Sequence, residues 1–332
     1  MKKGMAVALL GLLLVACGGE TPAGELESAA RLTIYSGRNE ALIGPMLERF
    51  EEVSGIEVEV RYAETAELTA TLMEEGEHTP ADVFISQDAA ALGALSDLEM
   101  LRALPEDLLG RVAAEHRSLA GTWVGLSGRA RTVVFNTELI SEQALPQSLE
   151  EIADPRYRGR FGVAPANGSF QAHMAAYSVQ RGAEALAILL QGMAANEPRR
   201  YPKNSAIVEA VIAGEVEFGL VNHYYLHRSQ VEAPNAPARN FLMPDGLGSR
   251  FVNLSGAGVL SGNPAAIELI EFLLDNEAQA YYAEQTFEYP LVGFDAVGEA
   301  ADGLMGEQVD FGSISAALEA TLVAIQDSGL LE

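Results

Sequence analysis

From residue 31 onward the chain alternates strand-like and helix-like segments, and this alternation restricts the possible folds more than any other feature. "RLTIYSG" reads as a strand ending in a glycine turn, and "EALIGPMLERFEEVSG" places Met46, Leu47, Phe50 and Val53 on one helical face, with Gly55 as its stop. "IEVEVRYA" alternates apolar and charged residues as a strand, "TAELTATLMEEGEH" is helical, and "ADVFIS" is a short buried strand before the helical run "QDAAALGALSDLEM". Such alternation predicts an α/β fold with parallel neighbours. Around "WVGLSGRARTVVFNT" the rhythm changes to extended chain with no helix between. A second alternating set follows, through "GRFGVAPANG", "SFQAHMAAYSVQRG", "EALAILLQGMAAN" and "SAIVEAVIAGEVEFGLVNHYY". The last third carries helical patterns in "NPAAIELIEFLLDNEAQAYYAEQ" and "SISAALEATLVAIQDSGLL", and no fixed-period repeat is visible. The reading is two α/β lobes, with any ligand at the carboxyl ends of strands in the cleft between them.

The N-terminus sets the compartment. A short basic start, "MKK", precedes the apolar run of residues 5–16, too short for a stable membrane span but suited to a secretory signal. The run ends at "LVAC", which resembles a bacterial lipoprotein signal with Cys17 as the lipidated first residue; a plain secretory signal is the other reading. Either way the chain is exported. Residues 1–16 are then signal and 17–30 a linker. Cys17 is the only cysteine, so the folded part has no internal disulfide and no thiolate catalyst or metal site. An ordinary core must hold the fold, and with 48% hydrophobic residues over 332 there is enough material for two domains.

The formal charge is −26, and the signal holds Lys2 and Lys3 without an acid, so the mature chain sits at −28. That balance argues against nucleic acid as a partner. No GxSxG, GxGxxG, P-loop or HExxH occurs. His223 and His227 stand four apart and on a helix could share a transition metal. The acidic "MEEGEH" reads as the wet end of a helix. In "LVNHYYLHRSQ" two tyrosines are adjacent. A phenol titrates near pH ~10, but a trivalent cation lowers that strongly and makes the phenolate a hard oxygen ligand. Adjacent residues on a regular strand face opposite ways, so both hydroxyls reach one ion only at a strand end or in the first turn of a helix. Packing is the competing role for these rings.

"TIYSGRNE", "TPADVFISQDA", "LSGRARTVVFNT", "YPKNSAIVEAVIAGEVEFGLVNHYY" and "LSGAGVL" resemble, in order, the ferric-binding protein family, the iron(III)-binding subunits of bacterial ABC importers. The resemblance implies the type II periplasmic binding protein fold, two α/β lobes joined by two crossing strands. The crossings are placed near 129–134 and 250–257. Lobe 1 then takes residues 31–130 and 254–302, and lobe 2 takes 131–253 and 303–332. Iron ligation carries over to Tyr224 and Tyr225. Where family members place a histidine and a glutamate, this chain has Asn39 and Gln87, both neutral and poor iron(III) ligands. The resemblance therefore implies a shell completed by carbonate or another small anion, held by Arg38 with Gly168, Ser169, Asn204 and Asn222. Arg129 is another anion partner or a structural ion pair, and Tyr35 and Tyr62 are packing residues, with an additional tyrosine ligand as their other role.

The implied protein is a monomeric, lipid-anchored receptor that hands iron(III) to an ABC permease and ATPase complex without a covalent step. Relatives of this fold that bind phosphonates, other oxyanions or polyamines supply the alternative ligand. The distant alternative is a zinc enzyme on His223 and His227; a porphobilinogen deaminase is excluded because its cofactor needs a cysteine within the folded chain.

Overall fold

In the computed structural model the described residues are 1, 31–244, 251–293 and 311–332, so the signal, the linker and Cys17 lie outside them. The elements run β1 (Arg31–Ser36), α1 (Glu40–Ser54), β2 (Glu57–Tyr62), α2 (Thr65–Glu75), β3 (Val83–Ser86), α3 (Ala89–Asp97), α4 (Glu106–Leu109) and β4 (Trp123–Asn136). Next come β5 (Phe161–Val163), α5 (Gly168–Arg181), α6 (Ala183–Ala195), β6 (Arg199–Arg200), α7 (Asn204–Ile212), β7 (Phe218–Asn222), α8 (Tyr224–Glu232) and β8 (Ala238–Phe241). The rest are β9 (Val252–Val259), α9 (Ala265–Leu273), α10 (Asn276–Tyr281), β10 (Tyr289–Pro290) and α11 (Phe311–Asp327).

The strands follow one hydrogen-bonded path, β2-β1-β3-β9-β4-β7-β5-β6, with β8 and β10 also paired to β4. The path is continuous because β4 changes partners along its length. Trp123–Ala130 pairs antiparallel with β9, whereas Arg131–Phe135 pairs antiparallel with β7. All fourteen residues of β4 are buried, as a strand covered on both faces requires. Within each half of the sheet the expected parallel pairing is present: β1 with β2 and β3, and β5 with β6 and β7. No helix among the described residues is long and apolar enough to cross a membrane.

Each half has its own core. Leu32, Ile34, Val83 and Ile85 pack with Ile43, Leu47 and Phe50 of α1 and Leu269, Ile270 and Leu273 of α9. Phe161, Val163, Phe218 and Leu220 pack with Phe170, Met174, Leu189, Leu190 and Met193 in the other half. Two expectations need correction. Val53 is 52% exposed, and Ile43 takes its place on the buried face of α1, because the helix presents its last turn to solvent before the left-handed Gly55. The helical stretch after Asn263 is also divided: Asp275 is extended and its carboxylate caps α10 by accepting from the Ala278 amide, which ends α9.

The parallel strands β1, β3, β5 and β7 end at Ser36, Ser86, Val163 and Asn222. Their carboxyl ends lead directly into the segments that carry Arg38, Gln87, Ser169 and Tyr224.

Candidate metal and anion site

β7 is wholly buried, and after Asn222 the chain turns through His223 into α8. Tyr224 and Tyr225 therefore occupy the first turn of a helix, where consecutive side chains do not point oppositely as on a strand. Their rings stack with centroids 4.4 Å apart. Tyr224 is buried and Tyr225 half-buried. Arg228, one turn along, sits over the Tyr224 ring with its guanidinium carbon 5.1 Å from the centroid. Burial, with Tyr225 adding to it, pushes the Tyr224 phenol well above its ordinary range, and Arg129 pulls against them. The phenol thus stays protonated until a strong positive charge arrives.

Beside the tyrosines lies a polar network built from the loop ends of the same half. The buried Arg131 donates through Nη1 to Asn222 Oδ1 at 3.0 Å and to Asn204 Oδ1 at 3.3 Å. Asn222 Nδ2 donates to Ser169 Oγ at 3.2 Å, and Asn204 Nδ2 to Asn167 Oδ1 at 3.1 Å. Asn167 also caps α5 by accepting from the Ser169 amide, so Gly168 and Ser169 open a helix N-terminus. Among the described residues a Cβ on Gly168 would meet nothing within 4 Å. Burial lowers the Arg131 pKa to about 10, while Tyr225 and Tyr224 oppose the shift. Ser169, Asn204 and Asn222 are thus brought together, around an arginine that the sequence analysis did not select. Arg129 and Arg131 stand two apart on one strand, so the period-two rule places both on one face and was a usable signal.

The other half of the sheet supplies Arg38 and Arg129. Arg38 is 1% exposed and donates from Nη2 to Glu288 Oε2 at 3.0 Å. The same carboxylate oxygen accepts from Ser127, whose hydroxyl also meets that of Ser255 at 2.8 Å. Burial alone would raise the Glu288 pKa, but Arg38 and Arg129 outweigh it and hold the carboxyl below its usual range. Arg129 donates to the backbone carbonyl of Gln87. Among the described residues, Arg38 Nε and Nη1, Arg129 Nε, and Arg131 Nε and Nη2 have no hydrogen-bond partner. Asn39 is exposed and caps α1, its Oδ1 accepting from Ala41 N at 2.9 Å. Gln87, Asn39 and Arg38 line one depression of about 730 Å³. Tyr35 is buried with its hydroxyl donating to Glu75 at 3.1 Å, a packing role, and Tyr62 lines the same depression as Asn39.

Glu288 had no local sequence signal, because its partner Arg38 lies 250 residues away. Replacing one member of a buried ion pair strands the other charge. Glu288→Gln should therefore destabilise the protein by about 3 kcal/mol in urea unfolding at pH 7. Because the Glu288 pKa is depressed on folding, this contribution is present above the ordinary carboxylate range and disappears as pH falls through the lowered value. The gap between wild type and variant should accordingly narrow in acid.

His223 and His227 have ring centroids 6.1 Å apart. Burial, with His227 adding to it, drives the His223 pKa down to about 3, so its ring is neutral. Among the described residues no group of three or more His, Cys, Asp or Glu could hold a metal ion.

The sequence profile of the bacterial extracellular solute-binding proteins matches residues 78–311. The major ferric iron-binding protein of Neisseria meningitidis serogroup B is 33% identical over 299 residues, covering 88% of this chain and 87% of that protein. The Fe(3+)-binding periplasmic protein of Serratia marcescens is 30% identical over 236 residues, 70% of this chain and 69% of that one. Iron-bound HitA from Pseudomonas aeruginosa superposes with a TM-score of 0.81 at 30% identity, covering 90% of this chain and 99% of its own. The chain belongs to the bacterial extracellular solute-binding proteins, and within them to the ferric-binding protein family, a transport family of binding proteins with the type II periplasmic fold.

Proposed function

We propose that the protein captures iron(III) between Tyr224 and Tyr225 together with a small anion, and delivers it to an ABC permease and its ATPase. One observation carries this reading: two stacked phenols lie within electrostatic reach of buried arginines that keep unfilled hydrogen-bonding capacity. Two phenolates leave a trivalent ion with net positive charge, and a carbonate-like anion both lowers that charge and fills the guanidinium donors. Arg131, with Ser169, Asn204 and Asn222, forms the nearer part of the anion site, and the free nitrogens of Arg38 and Arg129 form the rest. Gly168 at the α5 N-terminus adds backbone dipole. Asn39 and Gln87 stay outside the iron shell, since neutral amides are poor ligands for this ion.

In the same reading residues 31–130 with 254–302, and 131–253 with 303–332, are lobes that close on the ligand. The change of partners in β4 at Ala130 and Arg131 supports that boundary. Export through the N-terminal signal and a lipid anchor at Cys17 would hold the monomer beside its permease.

Titrating the protein with ferric citrate, in buffers with and without bicarbonate, tests the proposal. A visible phenolate-to-iron band that saturates at one equivalent and strengthens with bicarbonate is expected. Arg131→Met should weaken iron capture in bicarbonate by about tenfold, the scale of one lost hydrogen bond to a charged group, and should remove most of the bicarbonate dependence. Equal capture by wild type and variant would remove Arg131 from the anion site. The same unfilled guanidinium nitrogens also fit a phosphonate or other oxyanion without iron. No band in any buffer, with calorimetric binding of methylphosphonate, would favour that second reading. A polyamine is disfavoured by three buried cations.

A further inference from the structure

Three consecutive side chains after the last helical turns of the first half of the sheet each reach a different part of the candidate site. Phe287 stacks toward His227 on α8, with ring centroids 6.1 Å apart and planes 27° apart. Glu288 holds Arg38. Tyr289 lies face to face on His223, centroids 3.9 Å apart and planes 12° apart. His223 is in turn edge-on to Tyr224 at 5.9 Å, and its backbone amide donates to Ala130 at 3.1 Å, where β4 changes partners.

The backbone here is unusual. A π-helical turn (Tyr282–Thr286) leads into Phe287, which has a φ of 58°, the left-handed region that a residue with a side chain enters only at an energetic cost. Such turns persist where surrounding contacts over-determine them, often at functional sites. A hydrogen bond from the Glu288 backbone N–H to the Tyr282 carbonyl at 3.0 Å and the pairing of Tyr289 and Pro290 with Gly128 and Ser127 supply those contacts. The side chains then diverge toward both halves of the sheet.

We propose that Phe287, Glu288 and Tyr289 are positioning residues for the iron site, a clamp that fixes the tyrosine-bearing turn of α8 and Arg38 relative to one another. The proposal rests on the iron reading above. Its physical basis is that the rings of Tyr289 and Phe287, from the opposite half of the sheet, pack against His223 and His227 on either side of the turn that bears Tyr224 and Tyr225. If Tyr289 is removed, the turn loses its support from the opposite half of the sheet while both phenols remain.

The test compares the protein with Tyr289→Leu, Tyr289→Phe and Phe287→Gly. Each is titrated with ferric citrate in bicarbonate buffer, with the visible band and the competition by added citrate recorded beside apo-protein melting. Tyr289→Leu should weaken iron binding by about tenfold or more and shift the band, as for groups that orient metal ligands without touching the metal. Tyr289→Phe keeps the ring and should restore both readouts. Phe287→Gly tolerates the left-handed backbone and removes only a half-buried ring, so it remains informative if Tyr289→Leu does not fold; a loss of about threefold to tenfold with a shifted band is expected. A normal band and affinity in Tyr289→Leu or, should that variant not fold, in Phe287→Gly would overturn the clamp alone. Equal losses in Tyr289→Phe and Tyr289→Leu would show that ring stacking is not the link and would overturn it too. A wild-type protein with no band would sink the iron reading and the clamp together.

Discussion

The Tyr224→Phe, Tyr225→Phe double variant should show no visible phenolate-to-iron band at any ferric citrate concentration, and each single variant should keep a weaker, shifted band. The substitution deletes one oxygen per residue and leaves the rings, so the 4.4 Å stack and the packing of Arg228 over Tyr224 can persist. Folding is therefore expected to survive, with apo-protein melting close to wild type. Groups that only orient a metal ligand commonly cost about 10-fold to 100-fold in affinity when removed. Loss of a ligand itself should exceed that, so each single variant should lose more than about 100-fold. The two positions need not be equivalent, because Tyr224 is buried beneath Arg228 whereas Tyr225 is half-buried. Full iron capture by the double variant would show that these rings only pack.

The legible parts of the molecule were those fixed by local periodicity. Alternating segments gave the α/β class and parallel pairing because strands and helices write different spacings into the chain. The junction before Tyr224 was also legible, since the apolar run 218–221 of β7 gives way at Asn222 to the polar stretch "NHYYLHR". Local pattern could not reveal pairings set by tertiary contact. Glu288 reads as an ordinary surface acid until the fold places it, fully buried, against Arg38 and Ser127. Arg131 was hidden differently: the strand was recognised, but only the structure shows that both arginines of "GRAR" are buried beside the tyrosines. The split between α9 and α10 escaped because the apolar residues on either side of Asp275 stay nearly in phase.

Iron affinity should fall steeply with acid, and the slope tests the ligand assignment separately from mutation. Iron(III) binds the phenolate, so each phenol that enters its shell must leave a proton in solution. The raised pKa of Tyr224 means that its proton is still present throughout the neutral range and must be displaced. The sign follows directly: lowering the pH adds the competitor and weakens binding, whereas raising it strengthens binding. If both tyrosines coordinate, two protons leave, and affinity should change by about 100-fold per pH unit near neutrality, before the anion's own protonation is counted. Counting protons released in a pH-stat during addition of ferric nitrilotriacetate measures this number, after correction for iron hydrolysis with the double phenylalanine variant, for the proton that each freed nitrilotriacetate takes up, and for the proton that bicarbonate gives up on binding as carbonate. About two per iron would support two phenolate ligands. About one would leave a single tyrosine on the metal and assign the remaining position to the anion held by the arginines. None would contradict phenolate ligation, because a buried phenol whose pKa burial has pushed up cannot enter the iron shell at pH 7 without losing its proton.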